Sequence, residues 1–461
     1  MNSENSIVSG SATMGAAEDL QQNFKGRILF EGDVDYDKER RIWNGMIDRK
    51  PRMIAQCLNS SDIQNAVKFA KKNNLLISVR GGGHNVSGNA VCDDGIMIDL
   101  SRMKGIDVDL HKSQARVEMG VTWAEFDAET QKVGLATTGG VIGTTGVAGL
   151  TLGGGVGWLV RKHGLSCDNI IEAEVVTAEG ETVKTSLTEN PDLLWGIRGG
   201  GGNFGIVSSL TMRLHKVSTV LGGMILHSRD NANEVLRFYR DFMETAPNEL
   251  TLYAAMLHTP DGIPVVGMVG CYSGDLETGE EIMRPIRNFG TPVVDLIQPM
   301  PYVQMQSLME GAFPHGNRYY WKSGFFESLT DEAIDVIVNQ VNQIPSPFSA
   351  TILEYYGGAS LFEPEGGAAF PHRDSKFDLV IISNWPDKTG DEANIAWTRQ
   401  IWEAVQPYFS HKVYVNALGV EGEERVKEAY GTNYQRLVEL KQKYDPTNLF
   451  RMNQNIKPGD S

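Results

Sequence analysis

The chain has only four cysteines in 461 residues: Cys57, Cys92, Cys167 and Cys271. They are widely spaced. No CxxC pair and no Cys/His metal spacing occurs, so neither a disulfide scaffold nor a metal site is expected. Thiols this sparse suit a reducing compartment. No apolar run is long enough to span a membrane. The N-terminus, "MNSENSIVSGSATMGAAEDLQQ", lacks a basic segment followed by an apolar one, so no signal peptide is expected. Its first 20 or so residues read as mobile, because they are polar and rich in Gly and Ser. A basic stripe is also missing. The net charge is −16, with acidic residues scattered rather than clustered. That argues against nucleic acid and anionic membranes as partners. No G-K-[ST] follows any glycine run, so there is no P-loop. The expectation is a soluble, cytoplasmic protein.

Glycine is what the chain has in excess. There are 50, about one and a half times average usage. They cluster at 81–83, 139–157 and 199–205, and clustered glycine means backbone packed close to something.

The elements come in two textures. Up to about residue 217, short strands alternate with helices. "SDIQNAVKFAKKNN", 61–74, has a Ser/Asp cap signal and apolar residues at helical spacing. "LLISV" follows as a strand, then the glycine turn, then the strand "GIMIDL". "TWAEFDAETQKVG" reads as a helix ended by Gly134. "IIEAEVVTAEGETVKT" reads as two strands around a turn. From about 218, longer strands such as "LTLYAAML", "PVVGMVGCYS", "ATILEYYGG" and "FDLVIISNW" alternate with amphipathic helices. They suggest one large, mainly antiparallel sheet covered by helices. No repeat or low-complexity linker appears.

What could the glycines hold? "GGGNFG", 200–205, matches G-x-G-x-x-G, but a helix precedes it and a strand follows. The dinucleotide fingerprint needs the reverse order. "VRGGGHN" is a better anion site. Successive glycines after a strand can turn their N–H groups to one point and cradle a pyrophosphate. Arg80 could add charge there, or pair with a carboxylate elsewhere. "TTGGVIGTTGVAGLTLGGGVGW" offers a second, longer cradle. Tight packing between strands is the alternative for either cluster alone.

Four segments together are specific: "SVRGGGHNVSGNAVCDDGIMIDLSRM", "GVAGLTLGGGVGWLVRKHGLSCDNI", "NPDLLWGIRGGGGNFGIV" and "YDPTNLFRMNQNI". In this order, over roughly 50–457, the chain resembles the berberine-bridge-enzyme-like branch of the vanillyl-alcohol-oxidase flavoprotein superfamily. The resemblance implies an α+β fold. A PCMH-type FAD-binding domain of two α+β subdomains would span 46–217. A substrate domain with a large antiparallel sheet covered by helices would span 218–410. Residues 411–461 would return to the FAD domain, and 1–45 would form an N-terminal extension.

The resemblance also implies FAD, with the glycine turn against its pyrophosphate and His84 bonded to the flavin ring. The expected FAD set begins with Arg80, Gly81, Gly82, Gly83, His84, Asn85, Ser87 and Gly88. It continues with Gly140, Thr144, Thr145, Gly146, Gly149, Gly153, Gly154, Gly155 and Trp158. Asn169, Ile206, Asn453 and Asn455 complete it. Some relatives add a second bond from a cysteine shortly before the Gly-Gly-Gly segment. That place here holds Ile142 or Gly143, so a single link through His84 is expected. Cys92 and Cys167 read as packing residues.

The implied reaction removes a hydride from a C–H beside N or O of a small molecule. Molecular oxygen would reoxidise the flavin and give hydrogen peroxide. A group that takes the substrate's N–H or O–H proton would lower the barrier. The candidates are Asp378 in "FDLVIISNW", Glu354 in "ILEYYGG" and Lys322 in "YYWKSGFF", and Asn416 in "VYVNALG" is a further expected catalytic-site residue, retained from the family motif. Many relatives carry a tyrosine base just after that asparagine, where this chain has Ala417. Tyr355 or Tyr356 could reach in instead, or an amine could react without a strong base. A dehydrogenase of the same fold, and a flavin- or ligand-binding protein without catalysis, stay open as alternatives. So does a homodimer.

Overall fold

The computed structural model describes residue 18 and residues 20–459, so most of the stretch read as mobile lies outside the described residues. Among the described residues three main sheets carry the chain, beside a two-stranded ribbon of Leu135–Ala136 and His215–Lys216. The first holds β1 (Arg27–Phe30), β2 (Met53–Gln56), β3 (Ile77–Arg80) and β4 (Ile96–Asp99) in the order β1-β2-β4-β3. β4 runs parallel to both β2 and β3. Such strands are buried on both faces and read as continuous apolar runs, as "IMID" of β4 does.

The second sheet is antiparallel. It holds β5 (Ile106–Asp109), β6 (Gln114–Glu118), β7 (Ile170–Val176), β8 (Thr182–Thr185) and β9 (Ile206–Arg213) in the order β5-β6-β9-β7-β8. Helix α1 (Ser60–Lys72) lies between these sheets and touches β4, β7 and β9. It starts where Asn59 accepts a hydrogen bond from the Asp62 amide at 3.1 Å, a cap of the expected kind two residues before Ser61. Ile63, Ala66, Val67 and Ala70 form its buried face. α2 (Trp123–Thr130) has a Thr122/Glu125 capping box, and Gly134 ends the segment at φ +68°. α3 (Val147–Leu152) is one short helix inside the second glycine cluster.

The third sheet is wholly antiparallel and has eight strands. Its long members are β10 (Thr219–Ser228), β11 (Leu250–His258), β12 (Pro264–Tyr272), β13 (Arg318–Phe325), β14 (Ala350–Tyr355) and β15 (Phe377–Trp385), ordered β10-β12-β11-β14-β15-β13. Two short strands, Val294–Asp295 and Gln298–Pro301, pair along β10. Helices α4 (Ala232–Met243), α5 (Leu276–Arg287), α6 (Asp331–Val341) and α7 (Asp391–Val405) supply the residues packed on one face. Leu353, Tyr355, Leu379 and Ile381 point into that layer. Because side chains alternate along a strand, Ile352, Glu354, Val380 and Ile382 point to the other face, toward the first two sheets.

The tail then returns. α8 (Tyr434–Tyr444) carries the fully buried Lys441, whose Nζ donates to Asp445 Oδ2 (2.7 Å) and to the carbonyls of Asn203 and Phe450 (2.8 Å each). Asp445 in turn accepts from the amides of Leu449 and Phe450 at 2.8 Å. A buried charge pair with every donor and acceptor met is rigid and register-specific. It fixes residues 450–454 against the first two sheets.

Candidate active site

Between the third sheet and the first two lies a cavity of ≈ 400 Å³. At one end its wall is backbone. Gly81, Gly82, Gly83, His84 and Asn85 come from the turn after β3. Gly140, Thr145, Gly146, Gly149 and Gly153 come from the second cluster, together with Trp158. The two clusters touch each other. A Cβ at Gly82 would sit 2.3 Å from the Gly146 amide nitrogen, and one at Gly146 would sit 2.4 Å from that of Gly82. Gly149 and Gly202 differ, because a Cβ at either would meet no protein atom within 4 Å. Both line the cavity. There the missing side chain keeps space for something other than protein.

Orphaned polar atoms point the same way. Trp158 Nε1, Tyr253 Oη and Asn453 Oδ1 are buried without a hydrogen-bond partner, and all three residues line the cavity. Buried polar groups are normally paired. The wall therefore fits a large ligand with its own donors and acceptors.

His84 sits where the glycine turn meets this wall. Its ring stacks on Trp43 with centroids 5.0 Å apart. Nδ1 lies 3.3 Å from Thr145 Oγ1. Burial, then the neighbouring His315, pushes its pKa down to about 4. The imidazole is therefore neutral at neutral pH, with a lone pair available for bonding. Asn44 ties this corner together. Its amide donates to the carbonyls of Val86 and Tyr319, and its carbonyl accepts from the Tyr319 amide. Neither Trp43 nor Asn44 stood out in the sequence, since each is one polar or aromatic residue in an irregular segment.

The wall that the third sheet supplies is apolar: Tyr253, Ala255, Val269, Trp321, Ile352, Val380 and Ile382. Among the described residues, Glu354 is the one acidic residue lining the cavity. Burial raises its pKa to about 7. Asp378 lies directly opposite it in the β14–β15 register. Both Asp378 oxygens are buried and lack a partner. Its pKa is pushed well above the carboxylate range by burial and then by Glu354, offset only partly by the nearby Gly324 backbone and the Arg425 charge. Two adjacent buried carboxyls do not both ionise near neutral pH. Tyr414, Asn416 and Ala417 close the wall beside the second glycine cluster, and Ile206 and Asn453 also line the cavity.

Several expected site residues lie elsewhere. Arg80 is not placed to hold an anion. It forks onto Asp99 of the neighbouring strand (2.9 and 2.6 Å) and donates to the Glu39 and Arg41 carbonyls. Lys322 pairs in register with Ile381, on the helix-covered face. There it binds Glu421 at 2.7 Å over the Trp402 ring. Tyr355 shares that face, under Arg161. Tyr356 is buried behind Glu354, with its hydroxyl 3.4 Å from Glu354 Oε2. Asp378, the register partner of Glu354, is itself not among the lining residues.

The expected FAD set is trimmed in the same way. Asn169 holds the loop before β7 through the carbonyls of His163 and Leu165. Ser87 donates to the Asn85 side chain. Thr144 is exposed. Gly88, Gly154 and Gly155 have positive φ and are pressed against Ile47, Phe370 and Ser166, so they serve packing. Asn455 is not among the lining residues. None of the four cysteines lines the cavity, and all are buried. Among the described residues no group of three or more His, Cys, Asp or Glu is placed to hold a metal ion. No helix among them is long and apolar enough to cross a membrane.

Residues 51–186 match the FAD binding domain family, and residues 413–457 match the "Berberine and berberine like" family. An FAD-linked oxidoreductase of Dictyostelium discoideum is 33% identical over 443 residues, covering 95% of this chain and 96% of the relative. The chain belongs to the berberine-bridge-enzyme-like FAD-linked oxidoreductases. It is an FAD-binding enzyme of that family. (R)-6-hydroxynicotine oxidase of Paenarthrobacter nicotinovorans is 30% identical, covering 95% of this chain and 98% of the relative. The crystal structure of 6-hydroxy-D-nicotine oxidase from Arthrobacter nicotinovorans superposes with a TM-score of 0.88 at 30% identity, over 95% of this chain and 98% of that one. Berberine bridge enzyme from Eschscholzia californica, at 22% identity and TM-score 0.87 over 97% of this chain and 99% of that one, shares the fold. The PCMH-type α+β architecture of this family is the one described above.

Proposed function

We propose that this enzyme is an oxidase of a small molecule, removing a hydride from a carbon that bears nitrogen or oxygen. One observation carries the reading: a single cavity joins the glycine-walled end at His84 to an apolar chamber lined by Glu354. Gly81–Gly83, Gly146, Gly149, Trp158, Ile206 and Asn453 would hold FAD. His84 alone would bond to it, since no cysteine lines the cavity. When bound, the flavin supplies a hydride acceptor that molecular oxygen can regenerate with release of hydrogen peroxide. Residues 46–217 and 411–461 would form the cofactor body, and 218–410 the substrate body.

The protein's own share is proton handling and exclusion of water. With Ala417 at the wall, Glu354 is the lining group suited to take the substrate's N–H or O–H proton. Its raised pKa places it close to the working range of a general base. Asp378 behind it stays protonated and keeps the pair from carrying two charges. An apolar chamber around one carboxylate suits a compact apolar amine or alcohol better than a heavily hydroxylated sugar.

The test is a panel of aryl and alicyclic amines and alcohols on purified flavoprotein, read by anaerobic bleaching of the flavin and by oxygen uptake. Bleaching with matching peroxide release is the expected result. Bleaching without oxygen uptake would make the protein a dehydrogenase, and a spectrum unmoved by every donor would contradict catalysis.

A further inference from the structure

The phenol of Tyr414 has a hydrogen-bonding constraint that the reading above does not use. Its oxygen accepts from the Gly155 amide at 2.8 Å and from Asn416 Nδ2 at 2.8 Å. The identity of that Asn416 atom is fixed by its other contact. It also meets the Leu150 carbonyl at 2.9 Å. A carbonyl can only accept, so the atom facing it is the amide nitrogen, and both of its hydrogens are used. A phenolic oxygen that already accepts two hydrogen bonds has one capacity left, its own proton. No protein acceptor takes that proton among the described residues. Tyr414 is almost fully buried, and it lines the cavity.

Tyr414 is therefore built as a donor. Burial raises its pKa above the usual phenol value, so the proton stays on. Glu354 lines the same chamber with the opposite capacity. Ionised, it only accepts, and among the described residues Tyr356 is the side chain within hydrogen-bond reach of it. The remaining chamber wall is aliphatic and aromatic, and its other unpaired polar atoms are Tyr253 Oη and Trp321 Nε1.

Resting on the reading of this cavity as the substrate chamber, we infer that Tyr414 and Glu354 form a donor–acceptor pair that sets substrate specificity. The favoured ligand is a compact apolar molecule with an acceptor oxygen or nitrogen for Tyr414 and an N–H or O–H for Glu354. A ligand that lacks the acceptor leaves the phenol proton buried and unpaired, which costs as much as a lost hydrogen bond.

The experiment is calorimetric titration of the purified holoprotein with three probes of related size. Benzamide has donor and acceptor, N,N-dimethylbenzamide has only the acceptor, and ethylbenzene has neither. Wild-type protein should bind them in that order. Tyr414→Phe should weaken both amides about five- to tenfold and leave ethylbenzene unchanged. Glu354→Leu should abolish the preference for benzamide over its dimethyl form. If Tyr414→Phe bound both amides like wild type, the phenol would serve the cofactor or nothing, and the inference would be wrong. Equal weakening of all three probes would mean a purely structural role and would also overturn it, as would wild-type protein that binds neither amide. Calorimetry reads binding with or without flavin. Flavin content measured on the same samples therefore separates failure of this inference from failure of the oxidase reading.

Discussion

Glu354 is the lining carboxyl whose protonation is set by its surroundings. Its folded pKa is raised to about 7 by burial, so the folded state holds a proton that the unfolded chain releases near its ordinary value. Stability from this group is full below the unfolded pKa and is lost as pH rises toward 7. Glu354→Gln should therefore melt higher than wild type at pH 8, by up to about 3 kcal/mol, and the gap should close at pH 5. Scanning calorimetry of the two proteins at both pH values checks this. In turnover the sign is reversed for wild type. kcat/KM should rise with pH through about 7, where the base ionises, and that limb should vanish in Glu354→Gln. Arg80 makes the opposite case. Its fork onto Asp99 is buried, so Arg80→Met should leave Asp99 without its cation and cost about 3–5 kcal/mol in urea unfolding.

The two glycine clusters are one element in energetic terms but hold two kinds of glycine. Gly146→Ala forces a methyl into the Gly82 backbone, so both thermal stability and flavin content should fall. Gly149→Ala meets no protein atom. It should leave the melting temperature of flavin-free protein within about 1 °C of wild type, a near-neutral surface-like change. The ratio of flavin absorbance to protein absorbance should nevertheless drop. Equal flavin loading in Gly149→Ala would mean that this wall does not face the cofactor.

That distinction was not legible in the sequence. "VRGGGHN" and "GVAGLTLGGGVGW" located the wall, because runs of glycine have few other uses. They could not say that Gly154 and Gly155 pack on Phe370 and Ser166 while Gly149 faces open space. Period-2 alternation does separate the faces of a strand, yet which face meets the cavity depends on strand order. Hence Glu354 was found, whereas Lys322, in register with Ile381, went to the wrong side. Tyr414 is not legible in the sequence, where the departure at Ala417 is the stronger local feature. The signal was an adjacent Tyr-Val-Asn, whose meaning appears only once Leu150 and Gly155 are brought to it.

At the scale of the whole molecule, three sheets and a returning tail make one cavity. The sequence showed the change of texture near residue 217, because short strands with interposed helices give way to long strands. It also showed the stop at Asp445-Pro446, since proline cannot continue a helix. The docking of that tail through Lys441, Asn203 and Asp445 is a long-range network and left no local pattern. The cavity's cofactor end is the central claim, and His84 is its most exposed point of failure. Purified protein should be denatured in acid, pelleted and examined for flavin absorbance and fluorescence, beside His84→Ala. The account predicts yellow colour and flavin fluorescence that stay with the wild-type pellet and move to the supernatant, or vanish, in the variant. Flavin released wholly into the wild-type supernatant would contradict the covalent link through His84.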